Sequence, residues 1–282
     1  MGIRAVKMAS PRARPLAPSG PPAFADRTEA GVLLGAAVRA AVDQAAAAKR
    51  GHAPPGRARV PAQSGRPRPA AGPAWARVPP LVLALPRGGV PVAAGVAQAL
   101  GAALDVLMVR KIGHPAAPEL GLGAIAEDGG GGALAPFFDE QMMSTAGVAR
   151  EDLEDVVTRE RAELARRVAV YRPRPPADER PARRAGSGPD ELAGRLAVIV
   201  DDGLATGVTA RAALRAVRAR GPARTMLAVP VAAPAAVDAL KNETDEVVTL
   251  VTPRRFHSVG EWYGDFGQLT DADVLTLLAA IP

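Results

Sequence analysis

The sequence predicts an α/β protein in which a parallel sheet is flanked by helices. Predicted strands and helices alternate along the chain, and this alternation is typical of parallel sheets because each crossover connection needs a helix. The 282 residues are 48% hydrophobic, which is enough for a large core. Three segments rich in glycine or basic residues each follow a predicted strand, which is where ligand loops lie in this architecture.

Apolar runs bounded by glycine and proline define the individual elements. We predict strands over 81–85, 104–109, 196–200, 224–229 and 246–251. We predict helices over 27–49, 92–100, 148–171, 208–220, 234–241 and 271–280. Gly101 and Gly221 are placed to end helices, and Thr270 is placed to cap the last one.

The most informative segment is 198–209, an apolar strand that ends in Asp201 and Asp202. Gly203 and Gly207 bound the loop that follows and let its backbone approach a ligand closely. An alanine-rich helix comes next, so the loop amides can point at a phosphate at the helix N-terminus. Ionised carboxylates only accept hydrogen bonds, so the two aspartates suit sugar hydroxyls or a hydrated Mg²⁺. The segment predicts a site for a phosphorylated sugar; a solvated turn after a buried strand is the alternative.

A second loop, Pro86-Arg87-Gly88-Gly89, follows the predicted strand 81–85 and precedes an apolar helix. The paired glycines allow close backbone approach, and the arginine offers a bidentate fork for phosphate oxygens. Taken alone, the tetrapeptide is an ordinary turn. Its position in a second strand-loop-helix unit favours a phosphate loop.

Basic residues also follow the strand 104–109, where Arg110 and Lys111 stand together. Glycine and proline crowd the next segment, 113–132, and this composition predicts a mobile loop. A solvated strand end is the alternative interpretation of the two bases.

Together these segments resemble the type I phosphoribosyltransferases, which use phosphoribosyl pyrophosphate (PRPP). The resemblance implies that Asp201 and Asp202 hold the ribose hydroxyls and bind Mg²⁺ directly or through water. It implies that the loop after them wraps the 5-phosphate, that the Arg87 loop binds pyrophosphate, and that the mobile loop closes over the donor. The implied catalytic residues are Arg87, Lys111, Asp201 and Asp202. The implied PRPP ligands are Arg87, Gly88, Gly89, Arg110, Lys111, Asp201, Asp202, Gly203, Leu204, Ala205, Thr206, Gly207, Val208 and Thr209.

The resemblance extends to both ends of the domain. Phe24-Ala25-Asp26-Arg27 and Trp262-Tyr263-Gly264-Asp265-Phe266 complete a pattern that is similar to a bacterial group of phosphoribosyltransferases whose acceptor is undefined. The resemblance therefore supplies a donor site and no nucleobase. The aromatic residues of 256–266 either pack in the core or an oligomer interface, or stack on a planar ligand. A homodimer is left open.

The positive charge is unevenly distributed. The net charge is +6, yet no acidic residue occurs between Asp43 and Asp105, and prolines and arginines alternate over 53–80. Such a composition cannot order itself by burying apolar surface. We predict a disordered extension over 1–23 and a phosphoribosyltransferase-like domain over 24–282, with disordered insertions at 51–78 and 172–191. A nucleic-acid-binding tail is the alternative, and we do not expect it because only Trp75 could stack on a base.

Several classes of protein are excluded or disfavoured. Cysteine is absent, so disulfides and thiol catalysis are excluded. We see no apolar run of membrane-spanning length and no signal-peptide core, and so expect a soluble, cytoplasmic protein with no membrane partner. P-loop and Rossmann glycine motifs are missing. We expect an enzyme that transfers phosphoribose from Mg·PRPP to a nitrogen acceptor and releases pyrophosphate; the alternative is a non-catalytic sensor or regulator that binds PRPP or a nucleotide.

Overall fold

The computed structural model describes residues 22–48, 72–129, 132–171 and 192–280. Its strands are β1 (Leu81–Ala84), β2 (Ala103–Val106), β3 (Val109–His114), β4 (Ala117–Ala126), β5 (Phe137–Phe138), β6 (Leu196–Val200), β7 (Arg224–Val231) and β8 (Glu246–Val251). Five of them form a parallel sheet in the order β2-β1-β6-β7-β8. The α/β class and the parallel sheet predicted from the sequence are confirmed.

Helices cover the sheet and supply its crossovers. They are α1 (Arg27–Ala48), α2 (Gly89–Leu100), α3 (Glu140–Ala146), α4 (Glu154–Tyr171), α5 (Val208–Arg218), α6 (Pro234–Leu240) and α7 (Asp271–Ala279). Gly101 ends α2 in the left-handed conformation, and Thr270 caps α7 through a reciprocal capping box with Asp273. The predicted helix over 148–171 begins later, because a short 3₁₀ turn, Glu151–Leu153, precedes α4.

The central strands are buried on both faces. All residues of β1 and of β6 are inaccessible to solvent, as their uninterrupted apolar sequences require in a sheet covered on both sides. Alternate side chains of these strands enter two separate hydrophobic clusters, one on each face. This rigid pair of strands fixes the positions of the loops that follow them.

Glycines let α1 and α2 pack with their backbones in contact. A Cβ on Gly95 would lie 2.4 Å from the carbonyl carbon of Gly31, so no larger residue fits there. Among the described residues, α1 is the helix long and apolar enough to cross a membrane by length and composition. Its inner side, with Leu34 and Val38, is buried in the main core, as in the core helix of a globular domain.

The prediction of a mobile loop over 113–132 is wrong in its secondary structure. Residues 109–126 form the antiparallel hairpin β3-β4, to which β5 adds a third strand, and the predicted strand 104–109 is split between β2 and β3. The glycines serve close packing: a Cβ on Gly113 would lie 2.3 Å from the carbonyl oxygen of Pro118. A Cβ on Gly123 would lie 2.3 Å from the carbonyl oxygen of Phe137. Glycine content therefore reflects tight strand pairing in this segment.

The predicted insertion over 51–78 is too long at its C-terminal end. Ala74–Arg77 form a 3₁₀ turn, and Trp75 is buried in the main core beneath the Arg224 guanidinium, 5.8 Å from the ring centre. A tryptophan placed in this way is a core residue and is not available to stack on a base. The predicted extension 1–23, apart from its last two residues, the insertion at 172–191 and the remainder of 51–78 up to 71 lie outside the described residues.

Candidate active site

The two glycine loops lie side by side because β1 and β6 are adjacent parallel strands. Ala84 pairs with Val200, so both strands end at the same edge of the sheet. The Leu85 amide donates to the Val200 carbonyl at 2.9 Å and continues the pairing past the end of β1. Ligand loops are expected at this edge in open α/β sheets.

Contact between the two loops requires glycine at positions 88 and 89. A Cβ on Gly88 would lie 1.9 Å from Oδ2 of Asp202, and a Cβ on Gly89 would lie 2.7 Å from the Val200 carbonyl oxygen. The peptide bond between Pro86 and Arg87 is cis. The predicted pyrophosphate loop and the predicted ribose carboxylates therefore form one continuous surface.

The loop after Asp202 is held at its middle and at its end. Leu204 forms a parallel bridge to Ala232, beyond the end of β7, through backbone hydrogen bonds of 2.9 and 2.8 Å. Gly207 has a φ of +82° and caps α5, whose first turn presents backbone N–H groups that have no partner within the helix. The predicted ligands Gly203, Leu204, Ala205, Thr206, Gly207, Val208 and Thr209 thus run from the aspartates into a helix N-terminus.

The two aspartates are crowded and partly withdrawn from water. Burial, and next the charge of Asp202, raise the pKa of the Asp201 carboxyl well above its usual value. Burial also raises the pKa of Asp202, although the nearby Arg27 guanidinium opposes this shift. An arriving cation or hydroxyl donor would relieve the cost of keeping both groups ionised.

Arg27, which is not among the site residues predicted from sequence, directly contacts Asp202, one of the two predicted ribose ligands. Its Nε donates to Oδ2 of Asp202 at 2.9 Å, and its Nη1 donates to the Gly267 carbonyl at 2.9 Å. Its guanidinium lies 3.8 Å from the centre of the Phe266 ring. The sequence signal that could have identified Arg27 is its place in Phe24-Ala25-Asp26-Arg27, which is part of the family resemblance.

Two segments far apart in sequence meet beneath the aspartate loop, and we call residues 23–25 with 262–266 the aromatic clasp. The amides of Ala23 and Phe24 both donate to the Trp262 carbonyl at 3.0 Å. The rings of Phe24 and Tyr263 lie 5.4 Å apart, and the Tyr263 hydroxyl donates to the backbone carbonyl of Asp202. Tyr263 is buried, in agreement with core packing as one of the two predicted roles, whereas Phe266 is exposed and stacks on Arg27.

Arg87 borders a cavity beside the paired loops. The cavity measures about 290 Å³ and is lined by Arg27, Arg87, Gly88, Gln268 and Leu269. The Arg87 side chain is 39% exposed, and its Nε lies 4.0 Å from Oδ1 of Asp271. Because this separation is longer than a hydrogen bond, Asp271 holds Arg87 only loosely. Asp271 also accepts a hydrogen bond from the Tyr171 hydroxyl.

Arg110 and Lys111 have partners outside this cavity. Arg110 forms an ion pair of 2.7 Å with Glu160 of α4. The Lys111 ammonium donates to the Glu119 carbonyl at 3.1 Å and lies 3.7 Å from that residue's carboxylate. Both bases sit on β3, in a hairpin that packs on the start of α5 through Ala124 and Val208. The structure brings Arg87, Gly88 and Gly89 to the aspartates and leaves these two bases on the neighbouring hairpin.

The parallel sheet, paired glycine loops and carboxylates at one sheet edge define an α/β protein with a candidate site for a phosphorylated ligand. The phosphoribosyl transferase domain family matches residues 76–261, and the chain belongs to that family. Two Mycobacterium tuberculosis proteins, named "Putative phosphoribosyl transferase" in strains CDC 1551 and H37Rv, are each 44% identical over 198 residues, 70% of this chain. The match spans 41% of the length of each of these curated relatives.

A solved structure supports the same fold. The crystal structure of TT1426 from Thermus thermophilus is 37% identical in sequence and superposes with a TM-score of 0.59. The match covers 90% of this chain and 97% of that one. The type I phosphoribosyltransferase fold predicted from the loops is thereby confirmed.

Proposed function

We propose that this protein binds Mg·PRPP and transfers its phosphoribosyl group to a nitrogen acceptor. One observation carries the proposal: the Gly88 backbone lies against the Asp202 carboxylate, which joins a phosphate loop to a sugar-hydroxyl site. Family membership supports the class of reaction. A cytoplasmic location stays a prediction from sequence.

The aspartate loop suits the ribose 5-phosphate half of the donor. Asp201 and Asp202 would accept hydrogen bonds from the ribose 2′- and 3′-hydroxyls, for which acceptor-only groups are suited. Residues 203–209 would surround the 5-phosphate at the N-terminus of α5, where the amides and the helix dipole favour an anion. The whole half-site depends on the φ of Gly207, which turns the loop into the helix.

Arg87, Gly88 and Gly89 suit the pyrophosphate half. The half-exposed Arg87 can exchange its distant Asp271 partner for phosphate oxygens. Arg110 and Lys111 would join only if the hairpin carrying them closed toward the donor and they left Glu160 and Glu119. Closure of this kind would exclude water from the transition state.

The donor set fits Mg²⁺ shared with substrate. Carboxylate oxygens are hard ligands, but among the residues that the structure describes no group of three or more His, Asp or Glu could hold a metal alone. Asp201 and Asp202 would therefore hold the ion directly or through water, together with donor oxygens. When bound, Mg²⁺ would neutralise charge on the departing pyrophosphate.

The reaction requires the protein mainly to position the reacting groups, and it requires little proton transfer. The bond from ribose C1 to the pyrophosphate oxygen breaks, a bond from C1 to the acceptor nitrogen forms, and the acceptor proton passes to solvent. Arg87 would stabilise the leaving pyrophosphate, and Asp201 and Asp202 would fix the ribose ring.

Calorimetry and a turnover assay test this function. PRPP binding is titrated with and without Mg²⁺, and pyrophosphate release is then followed with purines, pyrimidines, orotate and aromatic acids. Mg²⁺-dependent PRPP binding with transfer to any acceptor supports the enzyme. Tight binding without turnover across the panel would favour the sensor, and no PRPP binding would overturn the donor site.

A further inference from the structure

The cavity beside the paired loops is lined by two positively charged side chains that come from different elements. Arg87 comes from the loop after β1, and Arg27 comes from the start of α1. Among the described residues that line the cavity, none is a carboxylate. A cavity of about 290 Å³ with two guanidinium groups and the Gly88 backbone is suited to a compact polyanion.

The Arg27 side chain is largely buried and is fixed by several contacts, as is typical of a binding-site residue. Its side chain is 12% exposed, and it is fixed by Asp202, by the Gly267 carbonyl and by the face of Phe266. An arginine has five N–H donors, and the contacts above use Nε and Nη1. These contacts leave donor capacity on the guanidinium of Arg27, a residue that lines the cavity.

We propose that Arg27 is a donor-site residue that binds the pyrophosphate of PRPP together with Arg87, while its Nε holds Asp202, the proposed ribose ligand. This inference rests on the proposed function and adds to it a residue outside the loops assigned from sequence. Arg27 would contact both halves of the donor, because the ribose and pyrophosphate regions meet at Gly88.

The experiment compares three ligands and a matched control on the same helix. Arg27→Met keeps an unbranched apolar side chain and removes the guanidinium and its charge. Arg39→Met makes the same change further along α1, where the side chain donates to the Ala99 carbonyl away from the site. Binding of Mg·PRPP, Mg·pyrophosphate and ribose 5-phosphate is measured by calorimetry, with thermal unfolding in parallel.

We expect Arg27→Met to weaken PRPP and pyrophosphate at least about tenfold, and ribose 5-phosphate no more than about threefold. Arg39→Met should leave all three affinities unchanged. Equal weakening of PRPP and ribose 5-phosphate, or undiminished pyrophosphate binding, would overturn the proposal. If wild-type protein binds no PRPP, the proposed function itself fails, which separates the two results.

A second variant applies if Arg27→Met does not fold. Arg27→Lys keeps the charge but lacks the planar fork, so it cannot contact Asp202 and pyrophosphate together. We expect a loss of at least about fivefold for pyrophosphate with ribose 5-phosphate within about twofold. Unchanged pyrophosphate affinity in the lysine variant would contradict the assignment.

Discussion

The Tyr263 hydroxyl donates a hydrogen bond to the backbone carbonyl of Asp202. Through this bond the aromatic clasp supports the loop that carries both predicted ribose carboxylates. Since Phe24 packs on the Tyr263 ring, residues from both ends of the domain position one functional loop.

Replacing Asp201 and Asp202 together by asparagine should abolish Mg·PRPP binding and leave the fold intact. The double change removes charge at a loop and hardly alters volume. Calorimetry measures binding, and circular dichroism checks the fold. A folded double variant with wild-type PRPP affinity would contradict the donor site.

Gly88→Ala should prevent PRPP binding through steric conflict alone. Residue 88 has a φ of −60°, which alanine adopts freely, but its Cβ would meet the Asp202 carboxylate. Gly101→Ala is the matched control: its φ is +59°, and a Cβ there would have nothing within 4 Å. The control should cost about 1 kcal/mol of stability with PRPP affinity retained. Calorimetry and thermal unfolding of both variants decide the matter, and a Gly88→Ala protein that binds PRPP normally would show that the loops need not touch.

Neutralising Arg87 should weaken PRPP far more than ribose 5-phosphate, because the monophosphate lacks the group that Arg87 is proposed to hold. For Arg87→Gln we expect a loss of about 1.5 to 3 kcal/mol, or roughly tenfold to a hundredfold in affinity. Lys111→Gln should have the smaller effect, since Lys111 lies on the hairpin and is paired with Glu119. Parallel titrations of both ligands provide the measurement, and equal weakening of the two would place these residues away from the pyrophosphate.

The ligand-free, Mg²⁺-free protein should carry an electrostatic penalty at Asp201. Its pKa is raised in the folded state, so its contribution to stability is full below the unfolded pKa and is lost as pH rises through the folded pKa. Asp201→Asn removes this loss. We expect the variant to gain thermal stability over wild type at neutral pH, with the gain shrinking toward about pH 4, near the unfolded pKa of an aspartate. A difference in Tm that is constant with pH would contradict the shift.

Deleting residues 51–71, which are part of the insertion predicted from sequence, should leave PRPP binding nearly unchanged, because the closure cost of a loop grows only slowly with its length. Extending the deletion through Trp75 should destabilise the domain by about 3 to 5 kcal/mol, as expected for loss of a buried tryptophan. Thermal unfolding of the two deletions, with Trp75→Ala as a point comparison, checks the boundary. Equal stability of the two deletions would show that Trp75 does not support the core.

The parts of the fold governed by local pattern could be predicted from sequence. Strands β6 and β8 have the predicted bounds, since each is an apolar run between clear breaks. The hairpin could not be predicted in this way, because glycines that allow close strand pairing have the same composition as a loop. Local propensity does not distinguish the two.

The candidate site likewise has parts that local sequence predicts and parts that only the fold brings together. The aspartate and Arg87 loops are short motifs, so the function proposed for them rests on residue type and spacing. Arg27 lies 175 residues from Asp202, and only the tertiary fold brings the two together. The burial of Trp75 could not be predicted for a similar reason. The sequence around it is rich in proline and arginine, while the residues it packs against lie in the core.

The bond from Arg27 to the Gly267 carbonyl also sets an order of events during synthesis. Both glycine loops leave the ribosome well before residue 267, so a nascent chain can pair β1 with β6 while Asp202 still lacks part of its support. The aromatic clasp can form only when residues 262–266 emerge and contact residues 23–25, which were made earlier. The site should therefore become able to hold the donor only after residue 267 has emerged, when most of the sheet can already have formed.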